Sequence, residues 1–512
     1  MFQEIISLPI WALITIPVST YILSTVFLAI IDPLRHIPGP FLARFTRAWY
    51  CWKIYEGNFE RTNQQLHTRY GPIVRIAPHE YSIDDVDAAK VIYSIGGASF
   101  RKASWYVSWQ PSNQTLASLF AERNPHIHSA QRRKVANYYS MSSMVGYEGH
   151  VDNCSELLSR YFVKSAISGG FVDMQYLLQC YAFDVIGEIT FGKRFGFLDM
   201  GEDKDGVFKV IDNGLWYSTF VGIWSWLHAW IFPLLPKTGG MAYIIKFTAD
   251  RIAEKEKALQ EQGSGNRKEE GTLDFVTRIL MASEKDPEKI TRGDLISTCQ
   301  SNIGAGSDTT AITLSSVLYH LVKYPNTYQK LRDEIETAAK EGRISDPITF
   351  KEAQGLPYLQ AVMKEGLRVH PAVGLGLQRI VPAEGITIAN QFIPGGSTVG
   401  INAYVAHQNT SVWGSDADQW RPERWFEIEE QGRGAEVEKY FFSFGMGSRT
   451  CIGKNISLLE MNKLIPQLVR RFDFELDADV ERNGGIVCKN RWFVKQQNFR
   501  ARILRREDGK IE

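Results

Sequence analysis

The chain has almost no net charge: 58 Lys and Arg against 57 Asp and Glu leave a formal +1. No whole-molecule field therefore points to nucleic acid or to acidic partners. Cysteine is scarce and scattered. Cys51, Cys154, Cys180, Cys299, Cys451 and Cys488 form no CxxC pair, which excludes zinc-ribbon and thioredoxin-like spacings, and a chain of 512 residues needs no disulfide staples. A reducing compartment is expected. No internal repeat is visible, which argues against a solenoid or propeller. A Pro/Gly/Ser-rich linker is also missing, so although length alone suggests about three domains, one large unit is expected. The glycine-rich stretches GAGSDT and GMGSRT lack the GxGxxG spacing of a dinucleotide site.

Long runs without charge are few, and one of them is strongly apolar and lies at the N-terminus. Ile5 to Ile31 contains no charged residue, long enough for the about 20 residues a bilayer-crossing helix takes. It lacks the small-residue cleavage site of a secretory signal, so a transmembrane anchor over residues 1–31 is expected. Only Glu4 precedes the run, whereas Arg35, Arg44, Arg47 and Lys53 follow it, which orients the body toward the cytoplasm. His36 to Pro40 (HIPGP) reads as a stiff hinge, within 32–40. The folded body is then 41–512.

The remainder reads as a mostly α (α+β) chain. Gly71 to Ile83 should form a strand hairpin, and strands should return at Ile386 to Phe392, Ile486 to Val494 and Phe499 to Leu504. Glu254 to Gly271 is charged and glycine-punctuated, an expected exposed loop. Leu215 to Pro236 is loaded with Trp216, Tyr217, Phe220, Trp224, Trp226, Trp230 and Phe232. It could be a buried helix pair, a second membrane span or an apolar roof dipping into the bilayer.

Two segments suggest chemistry. In Phe441 to Leu464, Gly445 and Gly447 permit a tight loop, and an apolar periodic helix begins just after Cys451. A cysteine at a helix N-terminus is drawn toward thiolate, the state a metal ligand requires; alone, it would more often be an inert core residue. Leu295 to Leu321 reads as a long buried helix that nonetheless holds Gly304 and Gly306, each costing about 1 kcal/mol relative to alanine. The missing side chains would let another body approach, and Thr309 can bond back to the Ala305 carbonyl. A helix crossing without chemistry is the plainer alternative.

Together, Phe444, Gly447, Arg449, Cys451 and Gly453 spell FxxGxRxCxG, and Ala305, Gly306, Asp308, Thr309 and Thr310 spell AGxDTT. In these motifs the chain resembles the cytochrome P450 family. The resemblance implies that the Cys451 thiolate binds the iron of heme b (iron protoporphyrin IX), that Phe444 packs beside the sulfur with Gly445 and Gly453 shaping the loop, and that Arg449 pairs with a propionate. It implies further that Ala305 and Gly306 pass over the heme, that Thr309 donates to dioxygen, and that Asp308 helps relay protons. Glu365, Arg368 and Arg424 match a buried charge network, and His128, Arg132 and Arg379 fall where propionate contacts are expected. Pro466, inside the helix after Cys451, should kink or end it.

The implied reaction is monooxygenation, with one atom of dioxygen going to a lipophilic substrate and the other leaving as water. Electrons derived from NADPH would come from NADPH–cytochrome P450 reductase, with cytochrome b5 as an accessory donor. The implied location is the endoplasmic reticulum membrane, single-pass, in contact with lipid. Trp105, Tyr106, Trp109, Val373 and Leu375 would line an apolar pocket. GPIVRIAPHEYSI and SFRKASWY look similar to fungal pisatin demethylase-like members, which implies secondary metabolism. Two alternatives stay open: an isomerase or dehydratase that needs no external electrons, and a non-catalytic heme- or sterol-binding protein.

Overall fold

A capping box at Thr291 and Asp294 starts a 32-residue helix, the longest of the described chain, and the site is arranged around it. The computed structural model describes residues 10–94, 100–112, 118–235, 239–262 and 272–506. The helices that matter for the site are α1 (Ile10–Ile31), α2 (Pro125–Val135), α3 (Glu148–Ser168), α4 (Met174–Phe191), α5 (Val207–Ile223), α6 (Arg292–Lys323), α7 (Pro357–Val369) and α8 (Lys454–Arg471). The strands are β1 (Ile73–Ala77), β2 (Glu80–Ile83), β3 (Arg101–Lys102), β4 (Arg379–Ile380), β5 (Thr398–Gly400), β6 (Val487–Arg491) and β7 (Phe493–Gln497).

Helices α3, α4, α6, α7 and α8 share the largest apolar core, to which α4 contributes Leu178, Phe183 and Ile186, and α6 Ala311, Leu314 and Val317. Almost every residue of α4 is buried, the polar Gln175, Gln179, Asp184 and Glu188 included. A second core packs beneath the five-stranded sheet, whose order is β1-β2-β5-β4-β3. Its register sets Lys102 opposite Arg379. A small three-stranded sheet joins Phe171–Asp173, Phe472–Leu476 and Arg500–Arg505.

The mostly helical reading agrees with this architecture, and several local expectations are corrected. The Ile486 to Val494 run is no single strand: β6 and β7 form a hairpin whose turn is Trp492, a non-glycine residue at φ 85°. Glu254–Gln262 continues a helix that begins at Gly239; 263–271 lie outside the described residues. Pro466 neither ends nor breaks α8, which runs on to Arg471. The loss of one backbone hydrogen bond is absorbed where the surrounding turns are completely buried. The HIPGP segment is docked on β1, where Arg75 N–H donates to the Pro38 carbonyl (2.9 Å) and Arg75 pairs with Asp32 (2.9 Å).

The N-terminal expectation is met only in part. A 22-residue helix without charge does form over Ile10–Ile31. Among the described residues, however, no helix is long and apolar enough to cross a membrane. In the aromatic stretch, α5 ends at Ile223 and short turns follow. Leu215, Ser218, Thr219 and His228 are buried, while Trp226, Trp230 and Leu234 are 67%, 74% and 82% exposed. The stretch is therefore neither a buried helix pair nor a second span, and its outer face is apolar.

Candidate active site

Cys451 sits between a glycine loop and α8. Its N–H donates to the Phe444 carbonyl (2.8 Å), and the Thr450 hydroxyl donates to the same oxygen (3.2 Å). Gly445 and Gly447 have φ of 66° and 62°, and a Cβ at Gly447 would lie 1.7 Å from the Tyr93 carbonyl oxygen. Gly447 is thus required by both backbone and space. Cys451 lies deep in the protein yet keeps accessible surface, as at the floor of a recess. Burial pushes its thiol up, against the pull of the Gly453 and Lys454 N–H groups and of Arg132.

Helix α6 presents Ala305 to accessible space, although most of its residues are buried. The Thr309 hydroxyl on this face donates to the Ala305 carbonyl (2.8 Å). Thr310 and Ser457 share a hydrogen bond (2.9 Å), which ties α6 to the first turn of α8. At Gly306 a neighbour does approach closely: a Cβ there would meet Ile186 at 3.1 Å, so it lets α4 and α6 pack together. Gly304 has open space around it. Asp308, next to Thr309 in sequence, is turned into the protein and fully buried. One oxygen accepts from Gln179 Nε2 (2.6 Å), and the other lies 2.9 Å from Lys495 Nζ.

A group of cations gathers beside the cysteine loop: Lys102, His128, Arg132, Arg379 and Arg449. The lysine and the three arginines each donate to a backbone carbonyl: Lys102 to Phe120, Arg132 to Thr450 (2.7 Å), Arg379 to Gln378 (3.0 Å) and Arg449 to Glu122 (2.6 Å). Burial, then Arg379, lowers Arg449 to about 10. Burial, then Arg449, lowers His128 to about 3, and burial with Arg379 holds Lys102 well below its ordinary value. Lys102 escaped the sequence reading, since only the β3–β4 register brings it to Arg379.

The network around Glu365 is fully partnered. Glu365 accepts from Arg368 Nε and NH2 (2.9 and 2.7 Å), Arg424 Nε (3.0 Å) and Trp425 Nε1 (3.0 Å). Arg424 also pairs with Asp416 (3.0 Å). His407, missed in the sequence, carries the network to the cysteine loop: its Nδ1 meets the Arg368 carbonyl (2.8 Å) and its Nε2 accepts from Phe442 N–H (2.8 Å).

Trp105, Tyr106 and Trp109 come together with Phe120 and Trp492, the Trp105–Trp492 ring centroids being 4.7 Å apart. Leu375 is buried in the same cluster, and Val373 packs on it and bridges to Phe493. Trp105 Nε1 donates to the Thr219 carbonyl of α5 (3.1 Å), which fastens this cluster to the aromatic roof. Trp492 was invisible as a site residue because it belongs to a hairpin turn far along the chain.

The donor set fits a heme: a soft sulfur at the floor of a recess, an accessible Ala305–Thr309 face on a buried helix, and clustered cations suited to two propionates. Comparisons with known proteins agree. The cytochrome P450 family profile matches residues 38–487, and the chain belongs to the cytochrome P450 family. It is 39% identical over 484 residues to a pisatin demethylase of Fusarium vanettenii, covering 93% of this chain and 92% of that one. It is 36% identical over 491 residues to the cytochrome P450 monooxygenase cicH of Emericella nidulans, covering 95% and 97%, and 36% identical over 466 residues to a cytochrome P450 monooxygenase of Aspergillus terreus, covering 88% and 93%. The protein is a heme monooxygenase, and its family uses dioxygen and electrons supplied by a reductase.

Proposed function

We propose that the chain inserts one oxygen atom into a lipophilic fungal secondary metabolite, with Cys451 as the thiolate ligand of heme b. The observation that carries this reading is the cation cluster beside an accessible cysteine. Arg132, Arg379 and Arg449, joined by Lys102 and a neutral His128, would hold the two propionates, because buried cations crowded together call for a dianion. When bound, the heme supplies the iron at which dioxygen is activated.

The chain's own residues do the rest. Ala305 and Thr309 face the reacting side, and the Thr309 hydroxyl can give up its bond to the Ala305 carbonyl and donate to dioxygen instead. Asp308 holds a proton source one residue away. Glu365, Arg368 and Arg424 keep the cysteine loop rigid rather than touching reactants. The Trp105, Tyr106, Trp109, Val373 and Leu375 cluster, with Trp492, excludes water and orients an apolar substrate. Removal of a methyl group by its hydroxylation, the activity in the names of two relatives, falls within this reaction class.

Electrons would come from NADPH through the reductase, with cytochrome b5 as accessory. Residues 1–31 would anchor the chain in the endoplasmic reticulum membrane, 32–40 would fix its pose, and 41–512 would form the cytoplasmic catalytic unit. The exposed face of Trp226, Trp230 and Leu234 supports contact of the roof with lipid, since tryptophan favours the interface.

The test is the carbon monoxide difference spectrum of reduced membranes bearing the wild type or Cys451→Ala, followed by turnover with reductase and NADPH. A strongly red-shifted Soret band, lost in the variant, is the expected result. A heme-loaded, folded wild type without that shift would overturn the ligand assignment.

A further inference from the structure

Asp308, Lys495 and Asp212 form a line of charge from the interior to the surface. The Asp308 carboxylate is 0% exposed, the Lys495 side chain 17% and Asp212 45%. Lys495 Nζ lies 2.9 Å from Asp308 Oδ2 and 2.5 Å from Asp212 Oδ1. The contact with Asp308 is an ion pair that lacks the alignment of a hydrogen bond, while Gln179 Nε2 occupies the other oxygen at 2.6 Å. These partners come from α4, α5 and β7, and Lys489, across the hairpin from Lys495, is the nearest further cation in register. Strand β7 is itself fastened to the core: Gln496 Nε2 donates to the Ile312 carbonyl of α6 (2.9 Å), and His370 Nε2 meets the Val494 carbonyl (2.9 Å). Lys495 is therefore held in place at both ends of its reach.

Resting on the proposed oxygen chemistry, we propose that Lys495 is a positioning residue that feeds Asp308 with protons from solvent by way of Asp212. Rotation of the ammonium first aligns an N–H on Asp308 Oδ2; that N–H then breaks as the Asp308 O–H forms, which leaves a neutral amine and a neutral acid. Solvent water at Asp212 then returns a proton to the amine, and Asp308 hands its own on toward Thr309. Two-electron reduction of dioxygen consumes two protons, and no other described side chain joins the Asp308 carboxylate to the surface. Because Asp212 lies on the roof helix α5, motion of the roof would open or close the route.

The experiment uses heme-loaded protein with reductase and NADPH, without added substrate, and follows NADPH oxidation in water and in deuterium oxide. Lys495→Gln should slow oxidation about tenfold, at the low end of what general acid catalysis contributes, and enlarge the solvent isotope effect. Lys495→Arg keeps the ion pair but surrenders no proton. It should restore the thermal midpoint that Lys495→Gln lowers, and not the rate. In a double-mutant cycle on the thermal midpoint, Asp308→Asn should recover part of the loss caused by Lys495→Gln. Full recovery of rate by arginine, or a wild-type isotope effect in Lys495→Gln, overturns the relay and leaves a structural pair. If Lys495→Gln does not load heme, Asp212→Asn, at an exposed side chain, decides: slower oxidation supports the route and an unchanged rate overturns it. A wild type without the thiolate band would instead overturn the underlying oxygen chemistry.

Discussion

Around Glu365 every buried charge has a counter-charge, whereas around Arg449 the cations face one another. In the first group Arg368 and Arg424, both about 1% exposed, divide the oxygens of one carboxylate, and Asp416 takes the remaining demand. In the second, Lys102, Arg132, Arg379 and Arg449 spend their donors on carbonyl dipoles. A chain that can pair buried charges so completely in one place and leaves them crowded in another has, on the function proposed above, reserved the second for a ligand. Charge that serves the fold is neutralised within it; charge that serves an anion is held ready, at some expense in stability.

Breaking the paired group should have the largest effect. Glu365→Ala leaves two buried guanidinium groups uncompensated and should cost about 3–5 kcal/mol. Chemical unfolding of the heme-free and heme-loaded protein would read this as a similar loss in both. A loss confined to the loaded form would mean that Glu365 acts through the heme and would dissolve the distinction drawn above.

Removing one of the crowded cations should do the opposite. Arg449→Gln takes a repelled charge out of the heme-free protein, so its thermal midpoint should hold or rise. The loaded protein loses a charge-assisted hydrogen bond worth about 1.5–3 kcal/mol, seen as heme transfer to a scavenging globin about 10- to 100-fold faster. If heme loss is unchanged while the heme-free midpoint falls, Arg449 belongs with the structural charges.

The same contrast explains what was legible in the sequence. The cysteine loop is read from ten consecutive positions, Phe444 to Gly453, because a tight turn, a ligand and a helix start must be contiguous. Glu365 and Arg368 share one helical turn, and Arg424 was reachable through a motif. Lys102, Trp492 and Lys495 were not, since each reaches the site through tertiary pairing: Lys102 by strand register, Trp492 by a left-handed hairpin turn, Lys495 by the packing of β7 on α6. Pro466 misled for a related reason: local rules treat a helix-interior proline as a stop, and α8 runs through it where the surrounding turns are buried. Gly306 was legible as a point of close approach, but that Ile186 of α4 is what approaches was not. Asp308 was found as a residue, but its direction was not, because adjacent helix positions point about 100° apart and only the fold decides which one meets Gln179 and Lys495.

The smallest expected effect is one of pH. Burial, then Arg449, Lys102, Arg132 and Arg379, pushes the His128 imidazole down to about 3, and burial pushes His407 down to about 3 as well. A histidine whose folded value lies below its unfolded value of about 6.5 stays neutral in the folded chain while the unfolded chain takes up a proton. Stability is therefore full above about pH 6.5 and is lost progressively as pH falls toward 3. His407 owes its value to burial and, after it, to the charge of Arg368, neither of which a heme alters. His128 owes part of its value to cations that two propionates would neutralise, so loading should raise it. Thermal melts between about pH 6.5 and 5 should show His128→Gln flattening the acid loss in heme-free protein and changing it little in loaded protein, whereas His407→Gln flattens both alike. If His128→Gln flattens both forms equally, the crowded cations do not meet the propionates, and the contrast between the two charge groups must have another origin.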